Sequence, residues 1–161
     1  MNPTVELAKE LISRASLTPS DEGCQDLISR RLKKIGFNIE NMPFEEVKNL
    51  WATYGEDGPL FIFLGHTDVV PTGPIDNWKN DPFSPLEENG FLFGRGAADM
   101  KGSVAAFVTA IESFVNEHKE FNGRIGLMLT SDEEGPSVNG VRKVIQELQG
   151  RQENIDWCLV G

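Results

Sequence analysis

The spacing of apolar residues predicts two helices near the start of the chain. From Pro3 to Ala15, apolar side chains recur at helical spacing, and Asn2 is a suitable N-cap for this segment. After a Thr-Pro-Ser break, the same period runs from Cys24 to Ile35 and is followed by a glycine, the usual residue of a left-handed helix cap. The pattern therefore predicts helices over about residues 3–15 and 24–35.

Three short segments after the second helix are rich in aromatic and β-branched residues, which is typical of β-strands. Turn-forming Asn, Pro, Gly and Asp residues separate them. The predicted strands are Phe37–Phe44, Leu50–Tyr54 and Leu60–Leu64. Because the third is the most apolar, we expect it to be central in the sheet.

The rest of the chain continues to alternate between strand and helix patterns. The proline-rich segment Pro71–Asn89 predicts a long surface loop with little regular structure. The elements predicted after it are a strand over Phe91–Phe93, a helix from about Val104 to His118, a strand over Ile125–Leu129, a helix over Val138–Leu148 and a strand over Ile155–Val160. This alternation predicts an α/β fold, a three-layer sandwich with a mixed, largely parallel sheet between helices.

Composition and charge narrow the classes of function. The 161 residues are 39% hydrophobic and 25% charged, as in a globular domain, and no apolar run approaches the roughly 18 residues of a membrane span. The net charge of −10 repels nucleic acid and anionic membranes, so we expect neither as a partner. The N-terminus lacks the pattern of an export signal, which favours a cytoplasmic location.

The two cysteines, Cys24 and Cys158, lie far apart in the chain, and each falls within an apolar pattern. Two buried thiols are therefore favoured over a disulfide or a CxxC zinc site.

A first polar cluster, His66-Thr67-Asp68, follows the most apolar predicted strand. Residues at i and i+2 of an extended segment project to the same side, so the Asp68 carboxylate can accept a hydrogen bond from the His66 ring. Such a bond orients an imidazole as a metal ligand. Taken alone, however, the motif also fits a structural histidine.

Two further clusters carry acidic residues. Asp99 stands among glycines before a predicted helix and is either an N-cap or a ligand that bridges two cations. The run Asp132-Glu133-Glu134 follows a predicted strand and is either a solvated turn or the source of one metal ligand and one general base. A dinucleotide site is excluded, because Asp99 stands where its third glycine would be.

The three clusters together resemble the motifs of the di-zinc amidohydrolases, a family that includes aminoacylases and deacetylases. The matching motifs are Gly65–Asp68, Gly94–Gly102 and Ser131–Gly135, and the resemblance runs from Val5 to Gly161. Further segments, such as Asp81-Pro82-Phe83, resemble the branch that hydrolyses N-succinyl diamino acids in lysine biosynthesis. The resemblance implies a zinc-exopeptidase-like catalytic domain and a small-molecule substrate.

The resemblance also implies a role for each matching residue. His66 and Glu134 would each bind one of two Zn²⁺ ions, and Asp99 would bridge both. Asp68 would orient His66, and Glu133 would be the general base toward the attacking water. Co²⁺ could replace Zn²⁺ at such a site.

The resemblance further implies a cis peptide bond between Asp99 and Met100. His118 matches no ligand position, and we expect it to face solvent at the end of its helix.

Members of this family are longer than 161 residues. The resemblance therefore implies that the chain is a truncation, the N-terminal portion of the catalytic domain without its lid and dimerisation domain or its C-terminal part. It also implies that further zinc ligands lie outside the chain. We expect the isolated chain to bind zinc weakly and to be inactive, and we expect a homodimer for the complete enzyme.

Two alternatives remain at this point. The first is another hydrolase of the same family, such as a deacetylase, that acts on a different N-acyl amino acid. The second is a non-catalytic fragment or interaction module that keeps the fold without the metals.

Overall fold

The computed structural model describes residues 2–118 and 120–161. The helices are α1 (Pro3–Ile12), α2 (Cys24–Lys34), α3 (Gly102–Glu117) and α4 (Val141–Gly150). The strands are β1 (Asn38–Asn41), β2 (Asn49–Tyr54), β3 (Leu60–His66), β4 (Leu86–Glu88), β5 (Phe91–Phe93), β6 (Arg124–Thr130) and β7 (Trp157–Val160). Within these described residues, no helix is both long enough and apolar enough to span a bilayer.

Five strands form the main sheet, in the order β1-β2-β6-β3-β7. β3 pairs in parallel with both β6 and β7, whereas β2 pairs antiparallel with both β1 and β6. Four of these five strands therefore run in the same direction, which confirms the prediction of a mixed, largely parallel sheet. β3 is an interior strand, but the middle strand is β6. The apolar content of the sequence could not show which of β3 and β6 is the middle strand, because both are buried along most of their length.

Helices cover both faces of this sheet, as the prediction of a three-layer sandwich requires. The side chains of β6 alternate between the faces: Leu127 and Leu129 pack with α1, α2 and α3, while Met128 packs with α4. β3 alternates in the same way, with Phe63 on the first face and Ile62 on the second. This period of two divides the core into two apolar layers.

The segment predicted as a long loop with little regular structure contains a short 3-10 helix, Ile75–Asn77, and part of a β-hairpin. Its strand β4 pairs antiparallel with β5 around a two-residue turn, Asn89-Gly90. Both turn residues have positive φ, 54° and 81°, which is the conformation that Asn-Gly favours in tight hairpins. The Asn-Gly dipeptide indicates a hairpin turn, but the prolines of the segment led to the prediction of a loop instead.

Two helix boundaries differ from the prediction because side chains bind the backbone there. α1 ends at Ile12, and the Lys101 ammonium donates to the carbonyls of Leu11 and Arg14 just where the helix stops. α4 begins at Val141, since the Val138 N–H donates to the Asp132 carboxylate at 3.0 Å instead of starting a helix.

The cysteine prediction is confirmed for one residue and wrong for the other. Cys24 is buried between α1 and α2, while Cys158 is exposed. All four residues of β7 are exposed in the part of the chain that the structure describes, so its apolar pattern does not bury the thiol. His118 is exposed beyond the end of α3, as predicted.

Candidate metal centre

The parallel pairing of β3 and β6 brings two of the three polar clusters together. His66, the last residue of β3, lies opposite Thr130, the last residue of β6. Beyond the strands, the Thr67 N–H donates to the Thr130 carbonyl at 2.9 Å. The His66–Asp68 segment and the acidic run after β6 therefore emerge side by side at the carboxyl end of the sheet, where α/β proteins commonly bind ligands.

His66 is almost fully buried, and both of its ring nitrogens have close polar neighbours. Nδ1 lies 2.9 Å from the main-chain carbonyl oxygen of Asp68 and 3.6 Å from the nearer carboxylate oxygen of the same residue. Nε2 lies 3.0 Å from Oδ1 of Asp99. Asp68 therefore contacts the ring at the expected nitrogen, but its main-chain carbonyl makes the hydrogen bond in place of its carboxylate.

The Asp68 carboxylate is fully buried and binds a different part of the site. It accepts hydrogen bonds from the backbone N–H groups of Glu133, at 3.3 Å, and Glu134, at 3.1 Å. The carboxylate lies 3.6 Å from His66 Nδ1, so its hydrogen bonds are with these two N–H groups and not with the imidazole. These hydrogen bonds also fix the start of the acidic loop relative to His66.

Asp99 lies in a turn whose geometry depends on two glycines. Gly96 precedes it with φ of 79°, a conformation that L side chains rarely adopt. Met100, the next residue, packs below His66, and a Cβ at Gly65 would come within 2.7 Å of the Met100 methyl group. The Asp99–Met100 peptide bond is cis, as the resemblance implies. The Asp99 side chain remains 75% exposed beside the imidazole.

Glu133 and Glu134 complete the cluster. One ligand atom each from His66, Glu133 and Glu134 lies within 4.8 Å of the others. Partial burial, followed by the nearby Asp99 carboxylate, raises the pKa of Glu134, while His66 opposes the shift. The side chains predicted to act together, which are His66, Asp68, Asp99, Glu133 and Glu134, therefore meet at one place.

The donor chemistry of this cluster fits a divalent cation. When Nδ1–H donates to the Asp68 carbonyl, Nε2 carries a lone pair that faces the Asp99 carboxylate. Two acceptors 3.0 Å apart repel each other unless a proton or a metal ion lies between them. One imidazole nitrogen with several carboxylate oxygens is a donor set suited to zinc. We call His66, Asp99, Glu133 and Glu134 the metal centre.

Sequence analysis assigned no structural role to four buried polar residues around this centre, which are Asp21, Thr67, Lys101 and Asp132. Each makes hydrogen bonds that only the tertiary fold creates. Asp21 lies just before α2, and its carboxylate accepts from the Gln25 backbone at 3.2 Å, so an acidic residue before a helix was a visible signal. Its burial was not visible.

Comparison with known proteins identifies the family. Residues 62–161, which include all three polar clusters, match the family model described as Peptidase family M20/M25/M40. The chain belongs to this family. Its fold agrees with solved structures of other members: it resembles an M20 family metallo-carboxypeptidase, Sso-CP2 of Sulfolobus solfataricus, at 23% identity and a TM-score of 0.88.

Human carnosine dipeptidase 1 has a similar fold, with 24% identity and a TM-score of 0.86. The similarity covers 99% of this chain and 37% of the carboxypeptidase, and 98% of this chain and 38% of the dipeptidase. At these identities the likeness concerns the fold alone.

Curated relatives are more similar in sequence. The chain is 59% identical over 160 residues to a succinyl-diaminopimelate desuccinylase of Nitrosomonas eutropha and 56% identical over 161 residues to one of Marinobacter nauticus. These matches cover 99% and 100% of this chain, but only 42% and 43% of the relatives. The chain therefore spans less than half the length of the curated relatives it matches.

Proposed function

We propose that the protein is a metal-dependent amide hydrolase that cleaves N-succinyl-L,L-diaminopimelate to succinate and L,L-diaminopimelate. The single observation that carries the proposal is the convergence of His66, Glu133 and Glu134, whose ligand atoms lie within 4.8 Å of one another at the carboxyl end of the sheet. The 56–59% identity to desuccinylases supports the choice of substrate.

In this proposal the metal is zinc, two ions per complete site, with cobalt as a possible substitute. His66 and Glu134 would each hold one ion, and Asp99 would be a ligand shared by both. When bound, such ions polarise the substrate carbonyl and stabilise negative charge that develops on its oxygen.

Glu133 is the proposed general base. Its side chain is 55% exposed, and Oε2 lies 3.8 Å from His66 Nε2, so it can reach a water molecule beside the metal centre. We propose that Oε2 removes a proton from this water as the oxygen attacks the amide carbonyl, and then returns the proton to the leaving amine. Asp68 does not touch the substrate in this scheme; it positions His66 and both glutamates.

The domain assignment and the assembly are also part of the proposal. The chain forms the N-terminal portion of the catalytic domain, and the complete enzyme is a homodimer with a separate lid and dimerisation domain. The greater length of the relatives supports this assignment, since they have room for such a domain beyond the matched 42–43%.

The proposal predicts a large loss of activity when Glu133 is changed to Gln in the full-length protein. General bases contribute on the order of 10²–10⁴ in rate, so kcat for N-succinyl-diaminopimelate should fall about 10³-fold. Glu56→Gln is the matched control, because Glu56 is exposed in the turn between β2 and β3, at the opposite end of β3 from His66. Its kcat should equal that of the wild type.

The substrate assignment is tested with the same wild-type preparation. We expect kcat/KM for N-succinyl-diaminopimelate to exceed that for N-acetylornithine at least 10²-fold, since a site that pairs a substrate carboxylate discriminates against an analogue without it. The opposite preference would make the protein a deacetylase of this family.

Equal activity of Glu133→Gln and wild type would contradict the proposed catalytic site.

A further inference from the structure

The connection between α1 and α2, residues 13–23, lies behind the metal centre. It contributes no metal ligand and no general base to the proposed function, yet several of its groups are buried and polar. Ser16 is fully buried and Asp21 is 3% exposed. A buried polar group is costly unless it forms hydrogen bonds, so the partners of these groups show what the connection holds in place.

Asp21 holds the residue between His66 and Asp68. The Thr67 hydroxyl donates to Asp21 Oδ1 at 2.8 Å, and both residues are almost fully buried. Because neighbouring side chains of an extended segment project in opposite directions, anchoring Thr67 inward sets the orientation of the two residues beside it.

Ser16 holds the same segment through its backbone. The Ser16 hydroxyl donates to the Thr67 carbonyl at 2.6 Å, and the Ser16 carbonyl accepts from the Val69 N–H at 2.8 Å. The histidine segment is therefore fixed to the connection by one side chain and by the main chain on both sides of Asp68.

The other two clusters also bind this part of the chain. The Ser131 hydroxyl, directly before the acidic run, donates to the Pro19 carbonyl at 2.7 Å. Lys101, two residues after Asp99, is 1% exposed, and its ammonium donates to the carbonyls of Leu11 at 2.9 Å and Arg14 at 2.7 Å. One connection, with the end of α1, thus contacts all three segments that carry the metal centre.

We propose that the α1–α2 connection positions the metal centre and that Asp21 is its principal positioning residue, acting on His66 through the Thr67 hydroxyl. The inference rests on the proposed function, because it assigns a role relative to that metal centre. Metal ligands must be held within about 0.5 Å of their working positions, and partners of this kind change metal affinity by roughly 10- to 100-fold when they are removed.

Cobalt(II) binding to the full-length protein tests the proposal without relying on turnover. Thr67→Val removes the hydroxyl and keeps a similar shape, and Asp21→Ala removes its acceptor. Each should weaken Co²⁺ binding about tenfold or more and alter the visible absorption bands that report coordination geometry. Thr67→Ser should restore both properties. Asp57→Ala is the matched control, because Asp57 is an exposed carboxylate in the turn between β2 and β3, at the opposite end of β3 from His66, and it should behave like the wild type.

Kinetics and coupling provide the second readout. In a double-mutant cycle, Asp21→Ala and Thr67→Val together should weaken Co²⁺ binding by less than the sum of their separate effects, because both remove the hydrogen bond between Thr67 and Asp21. Each should lower kcat for N-succinyl-diaminopimelate with KM nearly unchanged. If Asp21→Ala does not fold, the comparison of Thr67→Val with Thr67→Ser tests the positioning role without it.

Two results would overturn the inference. If folded Thr67→Val binds Co²⁺ with the wild-type affinity and spectrum, the connection has only a structural role. If the wild type and His66→Ala bind Co²⁺ equally weakly, the proposed metal centre itself fails, and the inference fails with it. The His66→Ala control thus distinguishes the two failures.

Discussion

Two sets of carboxylates lie within the same end of the fold and differ in what their oxygens contact. The internal set is Asp21, Asp68 and Asp132, and the open set is Asp99, Glu133 and Glu134. Residues of the internal set are at most 4% exposed. In the open set, the side chains of Asp99 and Glu133 are 75% and 55% exposed.

The internal carboxylates accept hydrogen bonds from the protein itself. Asp132 accepts from the backbone N–H groups of Ser137, Val138 and Asn139 at 3.0–3.1 Å. Asp68 accepts from the backbones of the two glutamates, and Asp21 from Thr67 and Gln25. Their carboxylates therefore stabilise the backbone conformation of loops at the carboxyl end of the sheet.

The open carboxylates have few protein partners. Among the described residues, the close polar contacts of Asp99 and Glu133 are with His66, at 3.0 Å and 3.8 Å. Crowding of like charges beside one imidazole is unfavourable unless a cation offsets it. The comparison teaches that acidic residues adjacent in sequence, such as Asp132 and Glu133, can serve opposite purposes: one stabilises the fold and the next remains available for a ligand.

The largest expected effect is on stability, from Asp132→Ala. Three backbone N–H groups lose their acceptor, and at about 1 kcal/mol each the free energy of unfolding should fall by about 3 kcal/mol. Glu133→Ala, one residue further on, should change it by less than about 0.5 kcal/mol. Urea denaturation of both variants measures the difference, and equal destabilisation would remove the distinction between the two sets.

The next effect is on metal affinity, from Glu134→Gln. Loss of one charged ligand should weaken Zn²⁺ binding by roughly 10- to 100-fold, or about 1.4–2.7 kcal/mol. Isothermal titration of the full-length protein with Zn²⁺ measures the change, and Glu56→Gln is the control. If Glu134→Gln binds Zn²⁺ with the wild-type affinity, Glu134 is not a metal ligand.

A pH effect should distinguish Asp21 from the open carboxylates. Burial raises the pKa of Asp21, Asp26 adds to the shift, and Thr67, Gln25 and Lys48 oppose it. The folded protein therefore holds this proton to a higher pH than the unfolded chain does. The resulting stabilisation is fully present below the ordinary pKa of 3.8 and is lost as the pH rises through the raised value.

Asp21→Asn should remove that part of the pH dependence. Asp21 raises the pKa of Lys101, which burial lowers, so the two proteins are compared in the acidic range where carboxyl groups titrate. Unfolding free energies of wild type and variant, measured from pH 3.5 upward, should show a wild-type advantage that shrinks as the pH rises. A constant difference across this range would show that Asp21 does not titrate as its burial requires.

The smallest expected effect is a slight gain in stability from Asp99→Asn without metal. Removing one of several adjacent negative charges relieves repulsion, so the free energy of unfolding should rise by a few tenths of a kcal/mol, typical of an exposed charge. Thermal unfolding in a chelating buffer measures it. A loss above 1 kcal/mol would place Asp99 with the internal set.

Sequence patterns predicted the fold and the open set well, for identifiable reasons. Apolar alternation marks β3 and β6, and the polar clusters stand where these strands end, so topology alone brings His66 and the glutamates together. Asp99 was identified as a candidate ligand from the glycine-rich motif Gly94–Gly102, in which it stands. Each of these residues carries its signal in its immediate neighbours along the chain.

Asp68 and Asp132 were identified from their motifs, but the hydrogen bonds that their carboxylates accept were not, and Asp21 was not identified at all. Asp21 and Thr67 are 46 positions apart, and Asp68 binds N–H groups 65 and 66 positions away. The carboxylate of Asp68 was expected on the His66 ring, since i, i+2 spacing cannot reveal competing donors from another loop. The exposure of Cys158 was missed similarly, because an apolar pattern does not show what covers an edge strand.

The most direct test of the metal centre is anomalous scattering at the zinc edge from crystals of the full-length protein grown with Zn²⁺. We predict two peaks, one about 2.0–2.2 Å from His66 Nε2 and a carboxylate oxygen of Asp99, and the other at a similar distance from carboxylate oxygens of Asp99 and Glu134. A peak bound by the internal carboxylates, or none within reach of His66, would contradict the account.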